Sequence, residues 1–251
     1  MNIDIQKIID IAINAGVAVL EFYKENIEVD RKSDDSPLTQ ADLAAHKIIL
    51  KGLSELTPNI PVISEEGGIA GYDKRKSWER FWLVDPLDGT KEFIKKNGEF
   101  TVNIALIEKN KPVFGVVYIP AQEIGYTGGS DIGAIRFTRD GGSIPIHSEK
   151  PDLTKPVRVV ASRSHGSDDL VEQLARKGIT VGEKVLAGSS LKFCLVAEGS
   201  ADLYPRIGPT MEWDTAAGDA VYRYSGKNGK RSSPLVYNKK TLKNDGFIIG
   251  L

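Results

Sequence analysis

The chain has 251 residues, 41% hydrophobic and 27% charged, with a formal net charge of -1 at pH 7. This composition is that of a folded globular protein, not of a disordered chain. The balanced charge argues against binding to nucleic acid or to an anionic membrane surface, because there is no global positive field. The one cysteine, Cys194, lies among apolar residues, so we expect a buried thiol without a catalytic role.

The chain begins with two predicted helices. Apolar residues recur at helical spacing over residues 5–23, which predicts an amphipathic helix. Polar residues interrupt this segment, so we expect no signal peptide, no transmembrane segment and a cytoplasmic protein. A second helix is expected to open at Thr39, where residues 39–42 resemble a capping box with Asp in place of Glu.

From residue 61 the chain changes to short β-rich segments, and then to alternating strands and helices. The predicted strands include PVIS, RFWLVD, FTVNIALIE, PVFGVVYIP, IGAIRFT and PVRVVASRS. Helices are predicted at SDDLVEQLARKG, at SSLKFCLVAEG and over residues 213–224, with a strand at ADLYPRI between the last two. This order predicts an α+β half, residues 1–152, and an α/β half, residues 153–251, as two halves of one compact unit.

Acidic residues follow two predicted strands and begin the last helix. Glu65 and Glu66 come after the first strand, Asp85 and Asp88 after the second, and Asp214 lies at the helix start. Carboxylates that converge repel one another unless a cation lies between them. Because the chain has only three histidines and one cysteine, an oxygen-ligand site for Mg²⁺ or Mn²⁺ suits it better than a zinc site.

The segment DPLDGTK fits such a site in detail. Pro86 fixes its own φ, a turn can bring Asp85 and Asp88 to one side, and the Leu87 carbonyl offers a neutral ligand. Residues 89–91 then offer backbone N–H groups to a phosphate, as the start of a helix does.

Interpretations without a metal stay open at this point. Glu65 and Glu66 are compatible with a solvated turn, and Asp214 with a helix N-cap. DPLDGT is also similar to the Asp-x-Asp-Gly-Thr signature of haloacid-dehalogenase-type phosphatases, whose first Asp is a nucleophile. Here two residues rather than one separate the carboxylates, which disfavours that alternative.

Four segments in a fixed order carry a family resemblance: KSDDSPLTQAD, ISEEG, WLVDPLDGTKEF and EWDTAAGDA. Together they resemble the Mg²⁺-dependent, lithium-sensitive phosphatases of the inositol monophosphatase superfamily. ASRSH and GSSLKFCLVAEG are most similar to its CysQ-type 3′(2′),5′-bisphosphate nucleotidases, which hydrolyse 3′-phosphoadenosine 5′-phosphate to AMP and phosphate. The resemblance implies a layered αβαβα sandwich, two to three Mg²⁺ ions, with Mn²⁺ as a substitute, a small phosphorylated nucleotide substrate and a role in sulfate assimilation.

The same resemblance implies metal ligands. Glu65, Asp85 and the Leu87 carbonyl would hold a first ion, and Asp85, Asp88 and Asp214 a second. Glu65 would reach a third ion through water.

It also implies catalytic and substrate contacts. Thr90 and Asp42 would form a hydrogen-bonded pair that polarises the attacking water, with Glu65 as the third catalytic residue. The second phosphate and the adenosine need polar groups at a strand end, at a helix start or one turn further on. The full set of expected substrate contacts is Glu65, Leu87, Asp88, Gly89, Thr90, Ser162, His165, Gly188, Ser189, Lys192, Arg206 and Asp214.

The sequence therefore predicts Mg²⁺-dependent hydrolysis of 3′-phosphoadenosine 5′-phosphate, with two alternatives. An inositol monophosphatase or another sugar-phosphate phosphatase would use the same metal site. A nucleotide sensor without catalysis would keep the site for binding, but it would not need the pair of Thr90 and Asp42.

Overall fold

A computed structural model of the protein describes residues 3–24, 37–163, 168–227 and 229–251. The first half contains two long helices, two short ones and seven strands. They are α1 (Ile5–Lys24), α2 (Pro37–Leu56), β1 (Val62–Ser64), α3 (Tyr72–Arg75), β2 (Arg80–Asp88), α4 (Thr90–Ile94), β3 (Thr101–Glu108), β4 (Lys111–Ile119), β5 (Ile124–Gly129), β6 (Gly133–Thr138) and β7 (Ser143–Pro145).

The second half alternates strands and helices, as the sequence predicts. Its elements are β8 (Val157–Ser162), α5 (Asp168–Ala175), β9 (Val181–Ala187), α6 (Leu191–Ala197), β10 (Tyr204–Arg206), β11 (Thr210–Met211), α7 (Trp213–Tyr224), β12 (Lys243–Asn244) and β13 (Phe247–Ile249).

The seven strands of the first half form one sheet in the order β1 to β7. Strands β1 and β2 are parallel, and the other neighbours are antiparallel. Residues on β2 alternate between two apolar cores: Trp82 and Val84 pack with α1 and α2, whereas Phe81 and Leu83 pack with α6 and α7. Because both faces are covered, this strand is apolar on both sides rather than on one.

Behind α6 and α7 lies a further layer of strands, with α5 outermost. Strands β8 and β9 pair in parallel, and β10 pairs with β13. The apolar side chains of α5 pack on β8. The protein therefore has five layers: α1 and α2, the seven-stranded sheet, α6 and α7, the second group of strands, and α5. This arrangement confirms the predicted αβαβα sandwich. Among the residues described, none of the helices is long and apolar enough to span a bilayer.

Helix α7 lies unusually close to the large sheet. A Cβ atom added at Gly115 would be 2.6 Å from the Ala217 carbonyl oxygen, and one at Gly128 would be 2.6 Å from Cα of Val221. Only glycine allows this approach, because any larger residue would displace the helix backbone. The two glycines thereby determine the distance between α7 and the sheet. This distance also sets the position of Asp214, which lies in the first turn of α7.

Two local predictions are corrected by the structure. Helix α2 begins at Pro37, so Thr39 lies inside its first turn and does not cap it; proline is well suited to a first helical position because its φ is already helical. The strand predicted at ADLYPRI begins only at Tyr204, since Asp202 turns its carboxylate back to accept the backbone N–H of Arg158.

Candidate metal centre

The end of β2 places two carboxylates on one face of the sheet. Asp85 is opposite Asn103 of β3, whereas Asp88 is opposite Thr101, so β2 carries one extra residue between these pairs. Side chains three positions apart on a regular strand point to opposite faces, and the extra residue brings Asp88 back to the face of Asp85. The segment predicted to be a turn is thus a β-bulge within a strand that continues to Asp88.

Carboxylates from three distant segments converge at this bulge. One oxygen each of Glu65, Asp85 and Asp214 lies within 4.8 Å of the others. Glu65 follows β1 and its backbone N–H donates to the Val84 carbonyl oxygen at 3.1 Å, which keeps it beside β2. Asp214 accepts the backbone N–H of Met211 at 2.8 Å, which orients it at the start of α7. We call these three residues, together with Asp88, the acidic cluster.

Asp88 is held by polar residues that the sequence analysis did not identify. Its Oδ2 accepts from Nδ2 of Asn103 at 3.3 Å and from Oγ1 of Thr101 at 3.4 Å. Asn103 also donates to Oγ of Ser190 at 3.0 Å, and Ser190 donates to the Asp214 carbonyl oxygen at 2.7 Å. The signal in the sequence is an asparagine among the apolar residues of FTVNIALIE, because a polar side chain that is buried in a strand needs hydrogen-bond partners.

Desolvation raises the pKa of each carboxyl group in the acidic cluster, and repulsion from neighbouring carboxylates adds to the rise at Glu65, Asp85 and Asp214. Asp85 is 1% exposed, and desolvation, followed by the charges of Asp88 and Glu65, raises its pKa well above the usual range. Desolvation and the Asp88 charge raise the pKa of Asp214 to about 7. The charges of Lys192 and Arg206 offset only part of these shifts, at Asp88 and Asp214 respectively, and bound cations would favour the ionised carboxylates.

Asp42 of α2 adds an unsatisfied acceptor beside the cluster. Its Oδ1 is buried and has no hydrogen-bond partner among the described residues. Desolvation, then the charges of Glu66 and Glu65, raises its pKa to about 8. Helix α2 packs against α4, which begins at Thr90, but the described part of the chain contains no hydrogen bond between Thr90 and Asp42. That pairing stays a prediction.

A cavity of about 230 Å³ adjoins the acidic cluster and collects most of the expected substrate contacts. Lys192, which is only 5% exposed, lines it together with Asp88. Desolvation lowers the Lys192 pKa to about 8, and the Asp88 charge opposes that shift. The cavity is thus lined by both acidic groups and cations. The expected contacts that line it are Asp88, Gly89, Thr90, Ser162, Ser189, Lys192, Arg206 and Asp214.

The remaining expected contacts lie elsewhere or are not described. The backbone N–H of Gly188 donates to Oε2 of Glu99 at 2.9 Å and so does not face the cavity. Glu65 and Leu87 belong to the bulge region rather than to the cavity wall. His165 lies outside the described residues. Tyr204 and Thr210 line the cavity without having been predicted.

Gly89 and Ser189 bring the two halves of the chain into contact at the cavity. Gly89 has φ +97°, and a Cβ atom there would be 2.0 Å from Oγ of Ser189. Ser189 donates to the Asp88 carbonyl oxygen at 2.9 Å, and its own carbonyl oxygen accepts from Nζ of Lys192 at 2.6 Å. The glycine is therefore required both by its backbone conformation and by the lack of space.

A larger cavity of about 570 Å³ opens on another side of Arg206, which lines both cavities. Its walls are mainly apolar, formed by residues such as Leu174 and Phe247, and none of the described residues that line it is acidic. The smaller cavity is therefore the one that adjoins the converged carboxylates.

Comparisons with known proteins agree with this geometry. The sequence model of the inositol monophosphatase family matches residues 4–232. The chain is 51% identical over 219 residues to the 3′(2′),5′-bisphosphate nucleotidase CysQ of Salmonella typhimurium, which covers 86% of each protein. It is 45% identical to CysQ of Escherichia coli K12 over 252 residues, which covers 98% of this chain and 99% of that one.

The fold is shared with a solved relative as well. The crystal structure of CysQ from Bacteroides thetaiotaomicron, a bacterial member of the inositol monophosphatase family, superimposes with a TM-score of 0.81 at 40% identity, over 97% of this chain and 95% of the other. Sequence and structure together lead to one conclusion: the chain belongs to the inositol monophosphatase family.

Proposed function

We propose that this protein is a phosphatase that hydrolyses 3′-phosphoadenosine 5′-phosphate to AMP and phosphate, with Mg²⁺ bound in the acidic cluster. The observation that carries this proposal is one cavity that is lined both by the carboxylates Asp88 and Asp214 and by the cations Lys192 and Arg206, and that adjoins the acidic cluster. A bisphosphorylated nucleotide fits such a cavity because one phosphate can lie at the acidic cluster while the cations bind the other. Relatives named 3′(2′),5′-bisphosphate nucleotidase match nearly the whole chain.

The residues present suit hard divalent cations. Glu65, Asp85 and Asp214 supply oxygen ligands from three directions, and Asp88 and the Leu87 carbonyl would complete the set. Desolvation and the repulsion among these carboxylates raise their pKa values, and bound cations would offset both effects by favouring the ionised form. When bound, such ions lower the pKa of a water molecule and neutralise charge on the leaving oxygen.

The protein's own residues would orient the reactants. The backbone N–H groups of Gly89 and Thr90, at the start of α4, would receive the phosphate that is cleaved. The unpartnered Oδ1 of Asp42 would accept a hydrogen bond from the Thr90 hydroxyl, which in turn would orient the attacking water. No covalent intermediate with the protein is needed.

Two cations would bind the second phosphate. Lys192 is held by the Ser189 carbonyl oxygen, so its ammonium group stays in the cavity. Arg206 is held through Nε by the Gly208 carbonyl oxygen at 3.2 Å and through Nη2 by the Pro209 carbonyl oxygen at 3.3 Å. Both side chains are thus oriented before substrate arrives, which lowers the entropy cost of binding.

The substrate is tested by phosphate release from four compounds in the presence of Mg²⁺. They are 3′-phosphoadenosine 5′-phosphate, its 5′-phosphosulfate analogue, inositol monophosphate and fructose bisphosphate. We expect the first to have the highest kcat/KM and Lys192→Met to lower it mainly through KM. If inositol monophosphate is the best substrate, the nucleotide assignment is wrong and the sugar-phosphatase alternative holds. Tight nucleotide binding without turnover would instead favour a sensor.

A role in removing this nucleotide during sulfate assimilation, and a cytoplasmic location, follow from the same proposal. Both would be tested by accumulation of the nucleotide in cells that lack the gene, and by fractionation of those that carry it.

A further inference from the structure

The residue that precedes α7 is a fully buried carboxylate with no role in the site described so far. Oε2 of Glu212 accepts the backbone N–H of Asn238 at 2.6 Å, and Oε1 accepts the backbone N–H of Lys239 at 2.9 Å. Nζ of Lys239 lies 2.9 Å from the same Oε1. The carboxylate therefore ties the start of α7 to a chain segment more than twenty residues further on.

The same segment is held on its other side by a buried cation. Arg75 of α3 is 2% exposed, and its Nη1 donates to Oδ1 of Asn238 at 2.7 Å. Its Nη2 donates to the carbonyl oxygens of Lys239 and Lys240, each at 2.7 Å. Nδ2 of Asn238 donates back to the Arg75 carbonyl oxygen at 2.8 Å. Residues 238–240 thus lie between a buried positive and a buried negative charge.

We call Glu212, Arg75 and residues 238–240 the buried array, and its location suggests a function. Glu212 lies two residues before Asp214, and Arg75 lies in the segment that leads on from Glu65. The buried array therefore joins the stretches of chain that carry two members of the acidic cluster, one from each half of the protein.

Stability alone does not account for such an arrangement. Apolar residues of similar volume often stabilise a fold as well as a buried charged network does. The carboxylates of the acidic cluster repel one another, so the segments that carry them need an external restraint to stay close before a cation binds. Buried groups with several hydrogen bonds in fixed directions supply such a restraint, as the residues around metal ligands commonly do.

We propose that Glu212 and Arg75 are positioning residues that act through residues 238–240 to hold Asp214 close to Glu65 and Asp85. This inference rests on the proposed function only in taking Asp214 as a metal ligand, and it is independent of which phosphate ester is the substrate.

The test measures Mn²⁺ binding to the full chain without substrate, by the electron paramagnetic resonance signal of free Mn²⁺. Glu212→Gln keeps the side-chain volume. It replaces one of the two carboxylate oxygens, which accept the backbone N–H groups, with an amide NH₂ group that can only donate. We expect it to bind Mn²⁺ at least about tenfold more weakly, the scale found for residues that orient metal ligands. The kcat/KM for 3′-phosphoadenosine 5′-phosphate should fall by a similar factor.

Asp219→Asn is the matched control on the same helix. Asp219 is also fully buried, and it bonds Arg223 at 2.9 Å and the hydroxyl of Tyr237, the neighbour of Asn238, at 2.9 Å, but it makes none of the hydrogen bonds that hold residues 238–240. Its replacement should lower Tm but leave Mn²⁺ affinity within about twofold of the wild type, because the hydrogen bonds from Glu212 and Arg75 to residues 238–240 stay intact.

Two further variants keep the test decisive if Glu212→Gln does not fold. Lys239→Met removes only a half-buried ammonium group and should weaken Mn²⁺ binding in the same direction but less. Arg75→Met should weaken Mn²⁺ binding as well. If both residues act through one segment, the fold-loss of affinity in the double variant of Arg75 and Lys239 should be smaller than the product of the two single fold-losses.

The outcomes separate this inference from the proposed function. Wild-type Mn²⁺ affinity in folded Glu212→Gln, or in both Lys239→Met and Arg75→Met, would overturn it. An equal loss of affinity in Asp219→Asn would also overturn it, since any loosening of α7 would then suffice. Weakened Mn²⁺ binding in Glu212→Gln, together with hydrolysis of inositol monophosphate but not of the nucleotide, would support the positioning role and reject the proposed substrate.

Discussion

The two parts of strand β2 are equally buried but opposite in chemistry. Trp82 and Val84 lie in the core, and burial of each such side chain stabilises the fold by roughly 1.5–3 kcal/mol. Asp85 is just as inaccessible, and desolvation raises its pKa instead of stabilising the metal-free protein. A single strand thus contains a segment that stabilises the fold and a segment that the rest of the fold must hold in place.

The neighbouring strand changes character at the same point. Ile104 is opposite Val84, whereas Asn103 is opposite Asp85, so one step along the ladder separates the core from the acidic cluster. The difference teaches that the site is placed where the strand leaves the apolar core, and that its polar partners come from the adjacent strand rather than from solvent.

The largest effect is expected from Asp88→Asn, at the acidic end of β2. Loss of a charged ligand should lower phosphate release by at least about 10³-fold, since metal ions supply most of the charge stabilisation in such reactions. The Tm in EDTA should rise or stay unchanged, because one repelling charge is removed. Phosphate-release assays with Mg²⁺ and thermal unfolding in EDTA measure the two effects, and full turnover would contradict the site assignment.

Thr90→Ala tests the residue just beyond the strand. We expect kcat to fall by about 10²-fold, the scale of a lost proton-transfer or water-orienting group, while Mn²⁺ affinity stays that of the wild type. Thr90→Ser is the matched control, because it keeps the hydroxyl and should keep most of the activity. Equal activity in the Ala and Ser variants would remove Thr90 from the mechanism.

Leu83→Ala tests the apolar end of the same strand. Leu83 is 1% exposed, so its truncation should lower the free energy of unfolding by about 2–5 kcal/mol. Urea unfolding measures this loss, and kcat at low temperature should be unchanged. A fall in kcat without loss of stability would show that the two ends of β2 are not separable.

The most gradual effect is a pH dependence of stability in the metal-free protein, because it is spread over several pH units. The folded protein raises the pKa of Asp42 to about 8 and that of Asp214 to about 7, above their unfolded values near 4. It therefore binds more protons than the unfolded chain in this range, and stability falls as pH rises from about 4 to about 8. Thermal unfolding in EDTA should show a Tm that falls as pH rises over this range, and saturating Mg²⁺ should reduce this dependence. A Tm that rises with pH would contradict the raised pKa values of Asp42 and Asp214.

Much of the fold was predictable because the spacing of apolar residues that indicates a helix or a strand lies within a short stretch of sequence. Apolar spacing predicted α1, and residues 213–224 were predicted as the last helix, which is the observed extent of α7. The bulge at Asp85 and Asp88 was missed, because an extra residue in a strand is defined only by its partner strand. Asn103 was missed for a related reason, since its role depends on a serine 87 residues away.

The order of the acidic segments was thus enough to indicate a phosphatase family and an oxygen-ligand metal site, since residue type and order are properties of the chain itself. Which carboxylates meet was decided by the packed structure, through the register of β2 on β3 and the close approach of α7 at Gly115 and Gly128. The sequence also does not distinguish Glu212 and Arg75 from the many exposed charges, because burial is a property of contacts between distant residues and not of any short segment.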